Sequence, residues 1–325
     1  MWRFIQKLRY RRSENVREEM PGHALEGFAG SYFGRSVARA GDVNGDGYAD
    51  LVVAASTSNT AYVYLGGATP LRGAPITLVS PRGGSNFGAD VSSAGDVNGD
   101  GYADLLVGAF ASSTAYVYLG GAGATALSAT PITLRPPSGI TGFGTVTEAG
   151  DVNGDGFADV VVGAYVYQRA FLYLGGPGAT PWKADPICLD GPDGSGFGGV
   201  ASAGDLNRDG YGDFFVVAGA VDLAQVYLGG PDWTMRGAAP IVVRGPRMSY
   251  FGSSQACAGD VNGDGYGDFA VGAFGANAAY VYLGRAGSPP FGATPIALRG
   301  LAGTRFGVSV ARAGRRDRCR VMGGG

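Results

Sequence analysis

The chain has 325 residues, and its 60 glycines and 17 prolines approach the fraction of low-complexity sequence, yet 11% aromatic side chains and regular valine-rich runs leave enough apolar surface for a core. The net charge of −2 hides an uneven distribution: the first twenty and last dozen residues hold ten of the 25 basic side chains, leaving 15 basic against 23 acidic between them, which argues against a nucleic-acid surface. No apolar run is long enough for a membrane helix or a signal-peptide core, so the expectation is a chain without a membrane span or an export signal of its own.

Residues 1–20 are rich in Arg and Glu and share nothing with the rest of the chain; their composition is that of a solvated, disordered leader. A repeat starts at Pro21, part way through a unit, because HALEGFAGSYFGRSVARAG at 23–41 lines up with IALRGLAGTRFGVSVARAG at 296–314. Between these ends the nine-residue stretch DVNGDGYAD, Asp42 to Asp50, returns at Asp96, Asp151, Asp205 and Asp260, at spacings of 54, 55, 54 and 55 residues. A period this regular indicates one tandem array rather than separate domains.

Each full unit reads as a Phe-Gly pair, a small-residue strand, the aspartate loop, a β-branched strand, an aromatic strand and a proline-led strand. In the second unit these are Phe87-Gly88, ADVSSAG, the loop, DLLVGAF (Asp104 to Phe110), AYVYLGG (Ala115 to Gly121) and PITL (Pro131 to Leu134). Short Val-, Ile- and Tyr-rich segments bounded by Gly, Pro, Asn and Ser are strand signals, and no segment keeps helical periodicity. Four antiparallel strands cannot bury both faces alone, so units must stack, either as radial propeller blades or as a linear β-solenoid. The strand count and the period favour an all-β β-propeller of four-stranded blades, with the LLVGA and VVVGA runs buried on both faces.

The loop D-x-N-x-D-G-x-x-D places oxygen-bearing groups at positions 1, 3, 5, 7 and 9, the seventh through its carbonyl. Hard oxygen donors in this alternation, with glycine at position 6 for the sharp turn, suit Ca²⁺, which takes about 6–8 oxygen ligands. The expected ligands are Asp42, Asn44, Asp46, Tyr48 and Asp50 in the first loop and Asp96, Asn98, Asp100, Tyr102 and Asp104 in the second. The third loop offers Asp151, Asn153, Asp155, Phe157 and Asp159, the fourth Asp205, Asn207, Asp209, Tyr211 and Asp213, and the fifth Asp260, Asn262, Asp264, Tyr266 and Asp268. About five structural Ca²⁺ ions are therefore expected. A plain turn of Asp, Asn and Gly is the alternative, but it leaves three carboxylates repelling one another within nine residues, five times over. The fourth loop carries Arg208 where the others have glycine, with its ligand positions intact.

Phe-Gly, the aspartate loop and a following Gly-Ala together resemble the FG-GAP repeat of integrin α-subunit propellers and of secreted bacterial proteins. The Phe-Gly pairs begin at Phe33, Phe87, Phe143, Phe197, Phe251 and Phe306; the Gly-Ala pairs begin at Gly108, Gly163, Gly219 and Gly272, with Ala54-Ala55 in the first unit. The third position of that motif is Phe110, Tyr165, Val221 or Phe274 instead of proline, which leaves the next turn undefined. The resemblance covers residues 21–314. It implies Ca²⁺ loops on one face and partner binding on the other, in a non-catalytic, integrin-α-like binding and adhesion module, extracellular or at the cell surface, with a protein or glycan ligand. Two other readings stay open: a carbohydrate-binding propeller that uses Trp182, Trp233 or the repeated tyrosines Tyr62, Tyr64, Tyr116, Tyr118, Tyr280 and Tyr282, and a non-catalytic domain of a larger secreted hydrolase.

His23 is the single histidine, which removes Ser-His-Asp and Cys-His chemistry. Three cysteines, Cys188, Cys257 and Cys319, fall at unrelated places in the repeat and give no disulfide framework. The two ends supply strand-like pieces of a sixth blade, yet after Gly314 the basic run RRDRCRVMGGG (315–325) stands where the sixth aspartate loop is due. The ring is expected to be incomplete and its parent seven-bladed, as is commonest in the family. The chain then reads as truncated or frameshifted near 314, unless the basic tail is a natural cap.

Overall fold

Every unit folds into the same sheet, four strands hydrogen-bonded in sequence order. This computed structural model describes residues 25–68, 73–123, 127–178, 180–182, 185–231 and 239–311; the leader at 1–20, His23, Trp233 and the tail at 315–325 lie outside them. The first blade comprises β1 (Phe33–Gly41), β2 (Asp50–Ala55), β3 (Thr60–Tyr64) and β4 (Ile76–Val79), and the second β5 (Phe87–Gly95), β6 (Asp104–Ala109), β7 (Thr114–Tyr118) and β8 (Ile132–Leu134). The third comprises β9 (Phe143–Gly150), β10 (Asp159–Ala164), β11 (Arg169–Tyr173) and β12 (Ile187–Asp190), and the fourth β13 (Phe197–Gly204), β14 (Asp213–Ala218), β15 (Leu223–Tyr227) and β16 (Ile241–Arg244). The fifth comprises β17 (Phe251–Gly259), β18 (Asp268–Ala273), β19 (Ala278–Tyr282) and β20 (Ile296–Arg299).

The first strand of each blade is built from small residues because it lines the middle of the molecule. All five of them border one shared cavity of about 1400 Å³, and β1, β5, β9, β13 and β17 pack against one another in that order. Strands stacked linearly would not surround a common space, so the arrangement is radial. Each of these strands ends in a register shift at a glycine with φ between +73° and +87°, which turns the chain into the aspartate loop.

All six residues of β6, β10, β14 and β18 are buried, as their near-continuous apolar sequence implies. Between blades an aliphatic face meets an aromatic one. Val52, Ala54, Ala61, Val63 and Leu78 of the first blade cover Phe87, Val91, Tyr116 and Tyr118 of the second, and Phe87 lies 5.6 Å and 6.4 Å from the two tyrosine rings. Phe143 and Phe251 repeat this contact with Phe171 and Tyr173, and with Tyr280 and Tyr282. Phe87, Phe143, Phe197 and Phe251 are thus wedges between neighbouring blades, and their full burial stabilises by about 1.5–3 kcal/mol each. Of the repeated tyrosines, Tyr64, Tyr116, Tyr118, Tyr280 and Tyr282 are buried in the blade packing, and Tyr62 is half-buried.

The turn after the second strand takes one form in all five blades, a three-residue 3₁₀ turn closed by a left-handed residue: Asn59, Ser113, Gln168, Asp222 or Asn277. The missing proline therefore changes nothing there. Four of these side chains clamp the entry to the next unit. Asn59 Oδ1 accepts the Ser85 and Phe87 N–H groups at 3.0 and 3.2 Å; the Asp222 carboxylate accepts those of Met248, Ser249 and Phe251 at 2.6–3.1 Å. Ser113 accepts from Gly142 and Asn277 from Arg305, whereas Gln168 bonds within its own turn. Replacing Asn59 with Ala should cost about 2–4 kcal/mol, from two unpaired N–H groups and the strain of a left-handed alanine. Denaturant unfolding checks this, and Ser113→Ala should cost clearly less.

Three expectations need correction. Val217-Ala218 occupies the strand end that Gly-Ala holds elsewhere, and Gly219-Ala220 lies in the 3₁₀ turn, so the fourth motif sits two residues earlier. The sixth-blade pieces form no strand at 25–27 or 306–311, because a first strand pairs only with the second strand of its own blade, and no such partner is present among the described residues. Finally, Cys188 is a free exposed thiol, but Cys257 is disulfide-bonded, a pairing that the odd cysteine count did not anticipate.

Candidate metal loops and the opposite rim

Each aspartate loop joins a first strand to a second at one end of its blade, and its side chains fold the loop upon itself. In the first loop, Asp42 accepts the N–H groups of Asp46 and Gly47 at 3.0 and 2.8 Å. Asn44 donates to the Asp46 carboxylate and accepts its N–H, and Asp46 accepts the Tyr48 N–H at 2.9 Å. The same pattern recurs in the second, third, fourth and fifth loops. Gly47 holds φ +85° with open space beside it, so glycine at position 6 answers a backbone requirement and not a steric one.

The aspartate at position 9 behaves differently. Asp50, Asp104, Asp159, Asp213 and Asp268 are buried, and each turns one carboxylate oxygen to the N–H at loop position 2 and the other to the glycine ending the third strand. For Asp104 these donors are Val97 at 2.9 Å and Gly120 at 2.7 Å. Position 9 thus brackets three strands together, a role legible only in the Leu-Gly that closes each aromatic strand. Burial, and then the charges of Asp100 and Asp96, push the Asp104 carboxyl up to about 7; burial likewise pushes Asp213 up to about 8. Asp50, Asp159 and Asp268 shift in the same direction for the same first cause. Asp104→Ala should cost about 2–6 kcal/mol, since two buried N–H groups lose their acceptor. Chemical denaturation in EGTA would isolate that bracket from any metal effect, and an unchanged midpoint there would refute it.

Neighbouring loops also touch. The N–H at position 8 donates to the carbonyl of position 1 in the preceding loop, Ala103 to Asp42 at 3.0 Å, with equivalents at Ala158, Gly212 and Gly267. The aromatic ring at position 7 lies on the glycine at position 4 of that preceding loop: a Cβ on Gly45 would sit 2.6 Å from Tyr102, and one on Gly99 2.6 Å from Phe157. Composition gave no hint of this side-chain role. Tyr48, in the first loop, has no preceding loop to cover and is 46% exposed. Arg208 holds the left-handed φ of +59° without being glycine.

The donor set fits a hard cation. It is all oxygen, and a carboxylate has about four lone-pair sites, of which the main chain takes one at Asp46, two at Asp42 and three at Asp96, leaving at least one free on each. Among the described residues, however, no three acidic, histidine or cysteine side chains converge into a cage by themselves. The amide oxygen at position 3 and the carbonyl at position 7 would have to complete the shell.

The 3₁₀ turns lie at the other end of the second strands, on the opposite rim. There Tyr165, Val166, Tyr167, Val221, Met248 and Tyr250 are exposed. Phe110 stacks on Tyr165 with ring centroids 5.1 Å apart, and Tyr250 on Phe274 at 4.7 Å. Trp182 instead turns inward: it packs edge-on against Tyr173 at 6.4 Å, and its Nε1 is buried without a partner beside a cavity of about 290 Å³. The half-buried indole lines that cavity together with Tyr173, Thr180 and Arg135.

A radial array of four-stranded blades, each with one aspartate loop and one Phe-Gly wedge, defines a repeat β-propeller. Models of the FG-GAP-like repeat match residues 42–107, 96–162 and 151–216, and a model of the FG-GAP repeat matches 253–283; the chain belongs to the FG-GAP repeat family. Integrin alpha-5 of Xenopus laevis is 32% identical over 255 residues, covering 69% of this chain and 23% of that protein. Integrin alpha-PS5 of Drosophila melanogaster is 34% identical over 165 residues, 46% of this chain and 16% of the relative, and human integrin alpha-IIb is 36% identical over 160 residues, 43% and 15%. The chain spans less than a quarter of the length of these relatives. Among solved structures, a streptogramin B lyase is similar with TM-score 0.53 at 11% identity, covering 81% of this chain and 69% of that one. A catalytically inactive virginiamycin B lyase from Staphylococcus aureus, solved with quinupristin, gives 0.55 at 10% identity, covering 88% and 77%. At such identity these likenesses concern the fold alone. No helix among the described residues is long and apolar enough to cross a membrane.

Proposed function

We propose that this chain is a calcium-stabilised propeller that works as a binding and adhesion module, extracellular or at the cell surface, without chemistry of its own. The observation that carries the reading is the fivefold recurrence of one loop geometry in which two outer carboxylates and an amide interlock through main-chain N–H groups beside a buried carboxylate. A cation held by those oxygens would neutralise the clustered acids, and because the loops are hydrogen-bonded to one another, ions held there would stiffen one whole face. The opposite rim, with its exposed stacked aromatics, is then the surface offered to a protein or glycan ligand. The FG-GAP repeats and the similarity to integrin α-subunits support the propeller on which this reading is built. The test is a calorimetric titration of metal-stripped protein with Ca²⁺, paired with retention of cells on the immobilised protein in Ca²⁺ and in EGTA. About five sites and EGTA-sensitive retention are expected; absence of bound calcium would sink the metal part, and retention indifferent to EGTA the adhesive part.

A further inference from the structure

Eight residues beyond Leu119, Leu174 and Leu283, the leucines that follow the third strands of blades two, three and five, stand Leu127, Trp182 and Phe291. Leu127 and Phe291 sink into the seam with the preceding blade and are 9% and 4% exposed; Phe291 packs on Phe269 and Tyr282 with ring centroids 5.3 and 5.9 Å away. Trp182 follows them only part way. Its indole is half-buried against the seam between the second and third blades, and beside it remains the cavity of about 290 Å³. One wall is the outermost strand of the second blade, Ile132, Thr133 and Leu134 of β8 with Arg135 beyond it; Tyr173, Thr180 and Trp182 form the rest. Tyr173 fixes the two walls together, because its hydroxyl donates to the Arg135 carbonyl at 3.1 Å across the seam.

We propose that this cavity binds one pyranose ring bearing a carboxylate, a uronate residue of a glycan. Small-molecule pockets begin at about 300 Å³, so the space suits a single ring and not a chain of them. Its lining divides as such a ligand requires: Ile132, Leu134, Tyr173 and Trp182 offer apolar surface to the carbon face of the ring, and Thr133 and Thr180 offer hydroxyls to its own. Two donors lack an acceptor. The Trp182 Nε1–H is buried without one, and a buried N–H left unpaired is costly. Arg135 has no acidic partner, since the ion pair among the described residues is that of Arg169 with Asp190. A guanidinium meets a carboxylate through two parallel hydrogen bonds, which is what selects a uronate over a neutral sugar. None of the lining residues belongs to an aspartate loop or to the aromatic rim, so the site goes beyond the proposed function and stands or falls apart from it.

The test titrates the full chain with glucuronate, glucose and acetate, followed by calorimetry and tryptophan fluorescence. Glucuronate should bind with a Kd of about 1 mM or tighter, the range open to a ligand of so few atoms. Glucose and acetate should each bind at least about tenfold more weakly, the first without the charge-assisted pair and the second without the ring. Trp182→Leu, which installs the side chain of the second blade, should abolish binding, and Arg135→Gln should bring glucuronate down to the level of glucose. Trp182→Phe keeps a ring without the N–H and should weaken binding several-fold. Circular dichroism establishes that the variants fold; should Trp182→Leu fail, Arg135→Gln, at an exposed position, gives the decisive readout. Absence of glucuronate binding overturns the proposal. So does binding that survives Trp182→Leu, which would place it elsewhere, as on a cation in an aspartate loop, and so does acetate binding as tightly as glucuronate, which would mean a site for any small anion. Cell retention in Ca²⁺ without glucuronate binding would remove this site and leave the proposed function standing.

Discussion

Stripping calcium with EGTA should lower the melting temperature by about 10 °C or more, and added Ca²⁺ should restore it. A site that binds only the folded state stabilises it by about 2.7 kcal/mol at a hundredfold excess of ligand over its Kd, and a domain of this general size shifts by about 2–4 °C per kcal/mol. Two loops at that occupancy already reach the stated shift, and the chain carries five. Salt screening does not mimic it, because the carboxylates at position 9 are buried. A melt unchanged by EGTA, with no calcium found by elemental analysis, would show that the N–H groups donated into each loop are sufficient partners. Mg²⁺ should substitute poorly, because it demands a tighter and more regular shell than a flexible loop offers.

The second large effect is expected at a residue without a side chain. A Cβ at Gly163 would overlap the carbonyl oxygen of Gly198 in the next blade and crowd Thr145 Oγ1. Since the obstacle is backbone between two packed sheets, relief requires moving one blade against another. Overpacking of this kind costs about 1–3 kcal/mol or more, and Gly163→Ala should fall at or beyond the top of that range, a loss of roughly 6–12 °C. Ala54 and Val217 occupy the equivalent position without harm, and the reason is visible across the interface. Gly88 and Gly252 face them with glycine Cα atoms, a Cβ on which would meet Ala54 and Val217, whereas Gly144, Gly198 and Gly307 bring their carbonyls against Gly108, Gly163 and Gly272. Ala54→Gly should therefore be close to neutral or mildly destabilising, and if it matched Gly163→Ala in cost the steric account would fail.

The sequence by itself determined the period, the four strands of each unit, the buried second strand and the place of every aspartate loop, since these depend on residue type at fixed local spacing: β-branched runs, glycine at turns, carboxylates alternating with small residues. It also marked Phe-Gly as a recurring landmark, but not its work as a wedge, because that work is done against the second and third strands of the preceding blade. The loops show the division most clearly. Asp42, Asn44 and Asp46 interlock within one turn, as their spacing implies; Asp50, counted as a fifth ligand position on the same pattern, uses both oxygens to tie Val43 and the distant Gly66. Composition cannot say which N–H a carboxylate will meet when the donor comes from another strand. The radial arrangement about a shared cavity and the ring of Tyr102 lying on Gly45 were likewise decided only by the tertiary structure, because each arises where one blade meets the next.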